Sequence, residues 1–159
     1  MQREVEAASE GGRAMKTKWP GQIAVVLSRD IKGKCNPITV GWHMTTSFYP
    51  PMMAISIGKT RYPCEIICNA KEFIVAFITQ SQYEEYMSYG SCTGRNVDKL
   101  KEQKTVTRPA SRINSVLMDD ANSNFVCPLI NELETGDHCI FSAEIVSAHM
   151  NTKLLDDVK

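Results

Sequence analysis

Residues 36–77 constrain the fold of this chain more than any other stretch, because several strand-like runs follow one another within it. Apolar residues alternate with polar or small ones along the first run. The apolar residues are Ile38, Val40, Trp42 and Met44, and the others are Thr39, Gly41, His43 and Thr45. A period of two is typical of a β-strand with one buried face. We therefore predict one strand here, with Trp42 packed in the core or in a subunit interface in preference to stacking on a bound ligand.

A polar turn is predicted directly after this strand. Thr45, Thr46 and Ser47 bring three hydroxyl groups together, and Pro50-Pro51 closes the segment. Hydroxyl and backbone N–H groups can bind a ligand through hydrogen bonds without carrying charge. The turn is therefore a candidate binding loop.

The rest of the stretch predicts a strand, a helix and a second strand. Residues 52–57 have the length and apolar content of a strand, and residues 73–78 are β-branched and aromatic. Between them, Tyr62-Pro63 indicates a helix start, because the first helical turn does not use the N–H that proline lacks. This helix is predicted to end near Asn69.

The flanking sequence predicts further strands and helices. Strands are predicted at residues 23–27, 124–130 and 138–150, helices at residues 80–89 and 96–103, and an irregular excursion at residues 105–124. The strand at 23–27 should pair antiparallel with the one that begins near Asn36. The helix at 96–103 would place Arg95 and Lys99 near each other beside its start.

The charge of the chain is balanced, with 18 Lys and Arg against 18 Asp and Glu. A balanced charge offers no long-range attraction to nucleic acid or to an anionic membrane. No apolar run approaches the roughly 20 residues that a membrane-spanning helix needs. The polar N-terminus also lacks the apolar segment of a signal peptide. We expect no nucleic-acid partner, no membrane partner and a cytoplasmic location.

The length of 159 residues fits one domain with its own core. Residues 1–18 contain almost no large apolar side chain, so they cannot offset the entropy of ordering by themselves. We predict a flexible arm, or an extension stabilised by a partner, at residues 1–18. Residues 19–159 are predicted to form the folded domain.

Six cysteines are scattered along the chain without a C-x-x-C pair, so neither a zinc site nor a thioredoxin-type dithiol is predicted. In a reducing cytoplasm they are expected to be free thiols. Cys64 and Cys68 lie four residues apart and would share one helix face. A redox or metal role for this pair stays open beside simple burial as small apolar side chains. No metal site is predicted.

Three segments of the chain carry a family pattern. The first is Asn36-Pro-Ile-Thr-Val-Gly-Trp-His-Met-Thr-Thr-Ser-Phe-Tyr-Pro-Pro, followed by Ser56-Ile-Gly-Lys-Thr-Arg-Tyr-Pro. The second is Cys92-Thr-Gly-Arg-Asn-Val-Asp-Lys-Leu, and the third is Glu134-Thr-Gly-Asp-His-Cys-Ile-Phe-Ser-Ala-Glu-Ile-Val. In this order, the three segments resemble the flavin-reductase-like, flavoredoxin-type family of FMN-binding proteins.

The resemblance implies a mainly β fold with a few short helices, namely an antiparallel, Greek-key split β-barrel that binds FMN. Members of this family pair into homodimers with the flavin sites near the interface, so a homodimer is expected. They usually continue into another strand beyond the point at which this sequence ends. No G-x-G-x-x-G or Walker sequence is present, so a Rossmann or P-loop device would not hold the flavin.

The resemblance also implies which residues bind the cofactor. The FMN phosphate is a dianion, which suits Arg or Lys with hydroxyl and N–H donors near a helix start. Arg61 and the segment around Arg95 would approach this phosphate, and the segment from Met44 to Ser47 would offer donors to the flavin ring. The implied cofactor-binding residues are Asn36, Met44, Thr45, Thr46, Ser47, Arg61, Tyr62, Thr93, Gly94, Arg95 and Lys99.

The implied function is an FMN-dependent oxidoreductase of the flavin reductase or flavoredoxin type. It would pass electrons or hydride through bound FMN, with NAD(P)H or a protein as the possible electron donor. The alternative is a non-catalytic FMN-binding or electron-carrier module, because no compelling catalytic side chain is visible. His43, His138 and His149 receive no catalytic role, since a histidine on a strand is more often structural.

Overall fold

The computed structural model describes residues 21–154, so the arm predicted at residues 1–18 lies outside the described residues. Within that range the chain forms ten strands and three α-helices. The strands are β1 (Ala24–Arg29), β2 (Cys35–Val40), β3 (His43–Phe48), β4 (Pro51–Gly58), β5 (Glu72–Phe77), β6 (Thr107–Pro109), β7 (Val116–Met118), β8 (Ser123–Thr135), β9 (His138–Glu144) and β10 (Ser147–Met150). The helices are α1 (Tyr62–Ala70), α2 (Tyr83–Ser91) and α3 (Lys99–Glu102). Short 3-10 turns occupy Gln80–Gln82 and Thr152–Leu154.

The main sheet is antiparallel, with the strand order β2-β1-β5-β8-β9-β4-β3. The 13-residue strand β8 joins its two halves: it pairs with β5 and β10 through its first part and with β9 through its second. The register with β9 shifts between Leu129 and Asn131, as at a β-bulge, and such irregularities bend a strand. Strands β6 and β7 form a separate hairpin.

The two edge strands of the sheet are consecutive in the chain. β2 lies at one edge and β3 at the other, and the chain passes between them through Gly41 and Trp42. The Ser56 N–H on β4 donates to the Trp42 carbonyl at 2.9 Å, which ties the crossing to the far half of the sheet. The crossing therefore brings the two edges together and curls the sheet into a barrel.

Strand β1 is buried on both faces, which explains the unbroken apolar run at residues 23–27. Ala24 and Val26 belong to a cluster that we call the barrel core, which also contains Phe141 and Ile67 of α1. Val25 and Leu27, which point to the opposite face of β1, belong to a second cluster, which we call the outer core. Its largest members are Tyr86 and Tyr89 of α2, with Leu27, Ile74, Leu117 and Met118.

The start of α1 follows from its sequence. Arg61 takes the N-cap position with an extended backbone, and Pro63 lies in the first turn, where it displaces no helical hydrogen bond. The helix ends at Lys71, whose left-handed φ of 58° allows its N–H to donate to the Ile67 carbonyl at 2.9 Å. The predicted helix start at Tyr62-Pro63 is confirmed.

Several other predictions are confirmed. Strands β1, β4 and β5 lie where the apolar runs predicted them, and β1 pairs antiparallel with β2. The strand predicted at residues 138–150 forms as two strands, β9 and β10, because the chain leaves the pairing with β4 after Glu144 and β10 pairs with the first part of β8. The helix predicted at residues 80–89 forms as a 3-10 turn followed by α2. The helix predicted at residues 96–103 is shorter, because Asp98 caps α3 by accepting from the Lys101 N–H.

Three local predictions are wrong. The single strand predicted through Met44 is two strands, and Trp42 at the break between them is 51% exposed, so it does not lie in the core with Val40. Its alternative place in a subunit interface stays a prediction. Thr45, Thr46 and Ser47 belong to β3, and the turn follows at Tyr49–Pro50. The irregular excursion at residues 105–124 contains the β6–β7 hairpin. Each of these three features depends on pairing between strands, which cannot be read from the local sequence pattern.

No helix within residues 21–154 combines the length and apolar character needed to cross a membrane.

Truncating Phe141 should strongly destabilise the barrel, because this β9 side chain is fully buried in the barrel core. For Phe141→Ala we expect the free energy of unfolding to fall by about 3–5 kcal/mol. Urea unfolding followed by circular dichroism measures the change. Ile31→Ala is the control, since Ile31 is 92% exposed and should alter stability by less than about 0.5 kcal/mol. Similar losses in both variants would contradict this account of the core.

Candidate functional site

A cleft of about 310 Å³ opens at the N-terminus of α1. The segment before α1, the segment that follows α2 and the first residue of α3 form its walls. Its lining residues are Thr60, Arg61, Tyr62, Pro63, Ser91, Cys92, Thr93, Gly94 and Lys99. Two cations and four hydroxyl side chains therefore line one small volume, which makes it a candidate anion site.

Arg61 joins the two helices that border the cleft. Its guanidinium donates to the Gly90 carbonyl near the end of α2, while its backbone carbonyl accepts from the Cys64 N–H at 3.0 Å. A guanidinium has five N–H donors, and the bond to Gly90 uses only part of that capacity. Arg61 is therefore held in place and can still donate to an anion in the cleft.

Lys99 is the second cation and is only 3% exposed. Its ammonium group donates to the carbonyls of Tyr89 at 2.7 Å and Pro37 at 3.1 Å. Burial lowers the pKa of Lys99, the Cys92 thiol acts in the opposite direction, and the positive charge of Arg61 lowers it further. Two like charges so close together, one of them buried, favour the binding of an anion between them.

Asn36 and Gly94 form a tightly packed floor beside the cleft. Asn36 on β2 is 1% exposed, and neither its Oδ1 nor its Nδ2 has a hydrogen-bond partner. A Cβ atom on Gly94 would lie 1.6 Å from the Asn36 Oδ1, so only glycine fits there. The Gly94 carbonyl also accepts from the Lys34 ammonium. An unpartnered buried amide is costly and is therefore a common mark of a binding site.

The cleft continues into a longer groove of about 500 Å³, with Arg61 and Ser91 lining both cavities. The groove wall is mainly apolar or aromatic and includes Val40, Trp42, Ile57, Met87 and His138. A third cavity of about 230 Å³ shares Trp42 and Ser56 with the groove and extends to Met44. Shared lining residues therefore place the three cavities next to one another, from Lys99 at one end to Met44 at the other.

The sequence did not point to His138 as part of this groove. Its ring packs against that of Trp42, with 4.5 Å between centroids, and its Nδ1 donates to the Asp137 carboxylate at 2.6 Å. This hydrogen bond and the charge interaction with His138 lower the pKa of Asp137. The Asp-His pair after the predicted turn was visible in the sequence, but its position beside Arg61 depends on the pairing of β9 with β4.

Arg95, Thr93 and Tyr62 have different positions relative to the cleft. Arg95 does not line it: its guanidinium pairs with Glu65 and lies 4.3 Å from the centre of the Tyr62 ring. Thr93 lines the cleft, and its hydroxyl accepts from the Arg95 N–H at 3.3 Å. Tyr62 also lines the cleft, and its hydroxyl donates to Asp30 at 3.0 Å.

The hydroxyl residues predicted to face the ligand ring lie on β3, away from the cleft. Met44 lines the third cavity, whereas Thr45, Thr46 and Ser47 line none of the three cavities. The register of β3 with β4 shifts between Thr45 and Ser47, which leaves Thr46 at an irregularity of an edge strand. Strand β3 thus borders these cavities through its first two residues, His43 and Met44.

The six cysteines are free thiols. Cys35, Cys64, Cys127 and Cys139 are buried, Cys68 is partly buried and Cys92 is exposed. Burial raises the pKa of Cys64 to about 11 and that of Cys127 to about 12, which keeps both thiols protonated. Within residues 21–154 no three His, Cys, Asp or Glu side chains are arranged to hold a metal ion.

The fold and this surface together define a β-barrel protein with a cationic cleft that opens into a mainly apolar groove. Such a surface suits a ligand with an anionic end and a flat, apolar body. The donor set fits a phosphate-bearing flavin, because the cations and hydroxyls line the cleft at one end of the groove and the unpartnered Asn36 amide packs beneath Gly94 in its wall.

The model of the flavin reductase like domain matches residues 15–158. The chain therefore belongs to the flavin-reductase-like family, whose fold is the split β-barrel. The family assignment and the fold class expected from the three sequence segments are confirmed.

Individual relatives are distant. An uncharacterised protein from Archaeoglobus fulgidus is 27% identical over 113 residues, which cover 71% of this chain and 64% of that relative. An FMN-binding protein from Thermus thermophilus with bound p-hydroxybenzaldehyde has a TM-score of 0.78 at 25% identity, covering 87% of this chain and 76% of its own. An NADH:FAD oxidoreductase from Streptomyces globisporus has a TM-score of 0.83 at 17% identity, covering 96% and 90%.

Replacing Gly94 by alanine should destabilise the protein, because the new Cβ would overlap the Asn36 side chain. We expect Gly94→Ala to cost about 1–3 kcal/mol of unfolding free energy, measured in urea. In the Asn36→Ala background the cost should shrink by at least about 1 kcal/mol, since the overlapping amide is gone. Gly90→Ala is the control, because its Cβ would meet Thr39 at an ordinary 3.6 Å. A Gly94→Ala cost that is the same in both backgrounds would contradict the packing of Gly94 on Asn36.

Proposed function

We propose that this protein binds FMN and acts as an oxidoreductase of the flavin reductase or flavoredoxin type. The observation that carries the proposal is the position of Arg61 and Lys99 at one end of a groove whose remaining wall is mainly apolar. A terminal phosphate with up to two negative charges matches two cations, and a flavin ring suits a wall containing Trp42 and His138. Membership of the flavin-reductase-like family supports a flavin as the ligand.

FMN is proposed over FAD because the cationic cleft is a small end pocket. Lys99 and Gly94 bound a volume of about 310 Å³, which suits a terminal phosphate better than a pyrophosphate that continues to adenosine. The relatives point both ways, since one is described as FMN-binding and another as an NADH:FAD oxidoreductase. Titrations with FMN, FAD and riboflavin under the same conditions would separate these ligands.

The proposed binding residues have three roles. Arg61, Lys99, Thr93 and Gly94 would hold the phosphate directly. Asn36, Tyr62 and Arg95 would support this end: Asn36 packs beneath Gly94, and Arg95 lies on the Tyr62 ring. Met44, which lines the third cavity, would offer a backbone donor to the ring. Thr45, Thr46 and Ser47 line none of the three cavities, so they would contribute only through the side of edge strand β3 that is unpaired in the sheet.

Bound FMN would accept hydride or electrons from a donor and pass them to an acceptor. The residues of the chain would bind and orient the cofactor, and the apolar wall would keep water from one side of the groove. NAD(P)H and a protein electron carrier are both proposed as possible donors. His138 lines the groove, and its hydrogen bond to the Asp137 carboxylate would hold its ring in place there.

Rapid mixing of the FMN-loaded protein with NADH or NADPH tests the reductase function. We expect one of them to bleach the flavin absorbance near 450 nm. If neither NADH nor NADPH bleaches the flavin but a protein donor reduces it, the electron donor is a protein carrier and not a nicotinamide. Tight FMN binding without turnover by any donor and acceptor would favour the non-catalytic FMN-binding module. A colourless protein that does not bind added FMN would overturn the proposal.

A homodimer is also proposed. Trp42, Met44 and Leu133 are exposed large apolar side chains of the crossing, β3 and β8, on the half of the sheet that contains β4 and β9. Burying such a face between two subunits would remove it from water. Sedimentation equilibrium measures the mass directly, and a monomer at micromolar concentration would contradict this proposal. A cytoplasmic location is also proposed, since a reducing compartment would keep the six cysteines as free thiols.

Arg61→Ala should weaken FMN binding without affecting riboflavin. Removing one charged donor to the phosphate should raise the FMN Kd by about 10- to 100-fold, measured by fluorescence titration. Riboflavin lacks the phosphate, so its Kd should be unchanged. Arg95→Ala is the matched control, because Arg95 pairs with Glu65 and does not line the cleft; we expect less than about a threefold effect. Equal losses for FMN and riboflavin would contradict the phosphate assignment.

A further inference from the structure

One exposed thiol lies in the candidate phosphate cleft. Cys92 follows α2 directly and lines the cleft together with Arg61 and Lys99. Of the six cysteines, Cys92 alone is exposed, whereas Cys68 is partly buried and the other four are buried. Its Sγ faces the Ser88 carbonyl at 3.8 Å, a weak contact that leaves the sulfur available.

Observations that do not involve Cys92 indicate that this cleft takes a ligand. The Lys99 ammonium is buried, and the nearby Arg61 charge lowers its pKa. Asn36 is 1% exposed, has no hydrogen-bond partner for its amide, and directs that amide at Gly94 in the cleft wall. The unpartnered buried amide beneath Gly94 marks this place as a ligand site, and the two cations that line the cleft favour an anionic ligand where Cys92 is exposed.

We propose that Cys92 is a modification site that controls access to the cleft, so that a mixed disulfide on its sulfur and a phosphate-bearing ligand exclude each other. The proposal rests on the proposed function in one respect, namely that the ligand is FMN. The reagent class is a small anionic disulfide, since Arg61 and Lys99 would attract its negative charge into the cleft.

The covalent step is a thiol–disulfide exchange. The Cys92 thiolate attacks one sulfur of the small disulfide, the bond between the two reagent sulfurs breaks, and the second half leaves as a thiolate. The proton of the Cys92 thiol goes to solvent, and the disulfide supplies the oxidising equivalents. A free thiol reverses the step by the same exchange and restores the cleft.

The size of the cleft explains why the two states exclude each other. Its volume of about 310 Å³ leaves little room for a phosphate beside an adduct with a ring or a peptide body. The adduct would also place its own negative charge next to Arg61 and Lys99, which are the groups proposed to bind the phosphate. Modification would therefore lower FMN affinity through both volume and charge.

The first measurement is the rate at which the anionic disulfide 5,5′-dithiobis(2-nitrobenzoate) labels the native protein. We expect one fast thiol in the wild type and in Cys68→Ser, and its loss in Cys92→Ser. With FMN at 100 times its Kd, mutually exclusive binding leaves about 1% of clefts free, so labelling of Cys92 should slow by about 100-fold. Inorganic phosphate at high concentration should also protect Cys92.

The second measurement is FMN affinity after labelling. The Cys92 adduct should raise the FMN Kd by at least about tenfold, and dithiothreitol should restore the original value. The FMN Kd of Cys92→Ser should be the same before and after treatment, whereas Cys68→Ser should remain sensitive. Because serine is close to cysteine in size, unchanged circular dichroism would confirm that each variant is folded.

Two results would overturn the proposal: FMN that does not slow the labelling of Cys92, or a fully labelled protein with an unchanged FMN Kd. Failure of the proposed function gives a different result, because the unlabelled protein would then not bind FMN at all. In that case protection by inorganic phosphate alone decides the inference. Protection would support a thiol-gated anion cleft, and labelling at an unchanged rate would overturn it.

Discussion

The two-sided burial of β1 is the constraint on which the rest of the structure depends. One face of β1 belongs to the barrel core and the other to the outer core, so each face must be covered by different elements. Helix α1 contributes Ile67 to the first core, and α2 contributes Tyr86 and Tyr89 to the second. The helices meet beside β2, where Arg61 donates to Gly90. The cleft exists because the start of α1 and the end of α2 are brought to one place.

The cleft keeps a positive charge where a protein interior disfavours it. Burying the Lys99 ammonium costs solvation free energy, and its bonds to two backbone carbonyls offset only part of that cost. The neighbouring Arg61 adds repulsion. Costs of this kind are characteristic of binding sites, since a ligand of opposite charge recovers them.

Much of the fold could be predicted from local patterns. The unbroken apolar runs identified β1 and β5, and Tyr62-Pro63 marked the start of α1. Alternation failed at Trp42, because the apolar pattern continues through a point where the chain crosses from one edge of the sheet to the other. For the candidate site, the sequence motifs named Arg61 and Lys99, and the structure brings them together. The same motifs named Arg95, which Glu65 holds outside the cleft.

The sequence by itself determined the family, the mainly antiparallel β architecture and the helix that begins after Arg61, because periodicity, proline placement and motif order are local properties of the chain. Only the tertiary structure decided which charged and polar residues share a cavity. In the folded chain Arg95 pairs with Glu65, and His138 packs beside Trp42. Cys92 is exposed in the cleft that Lys99 also lines. These contacts join residues on different strands and helices, and their distances depend on how the sheet closes and how two helices pack on its edge.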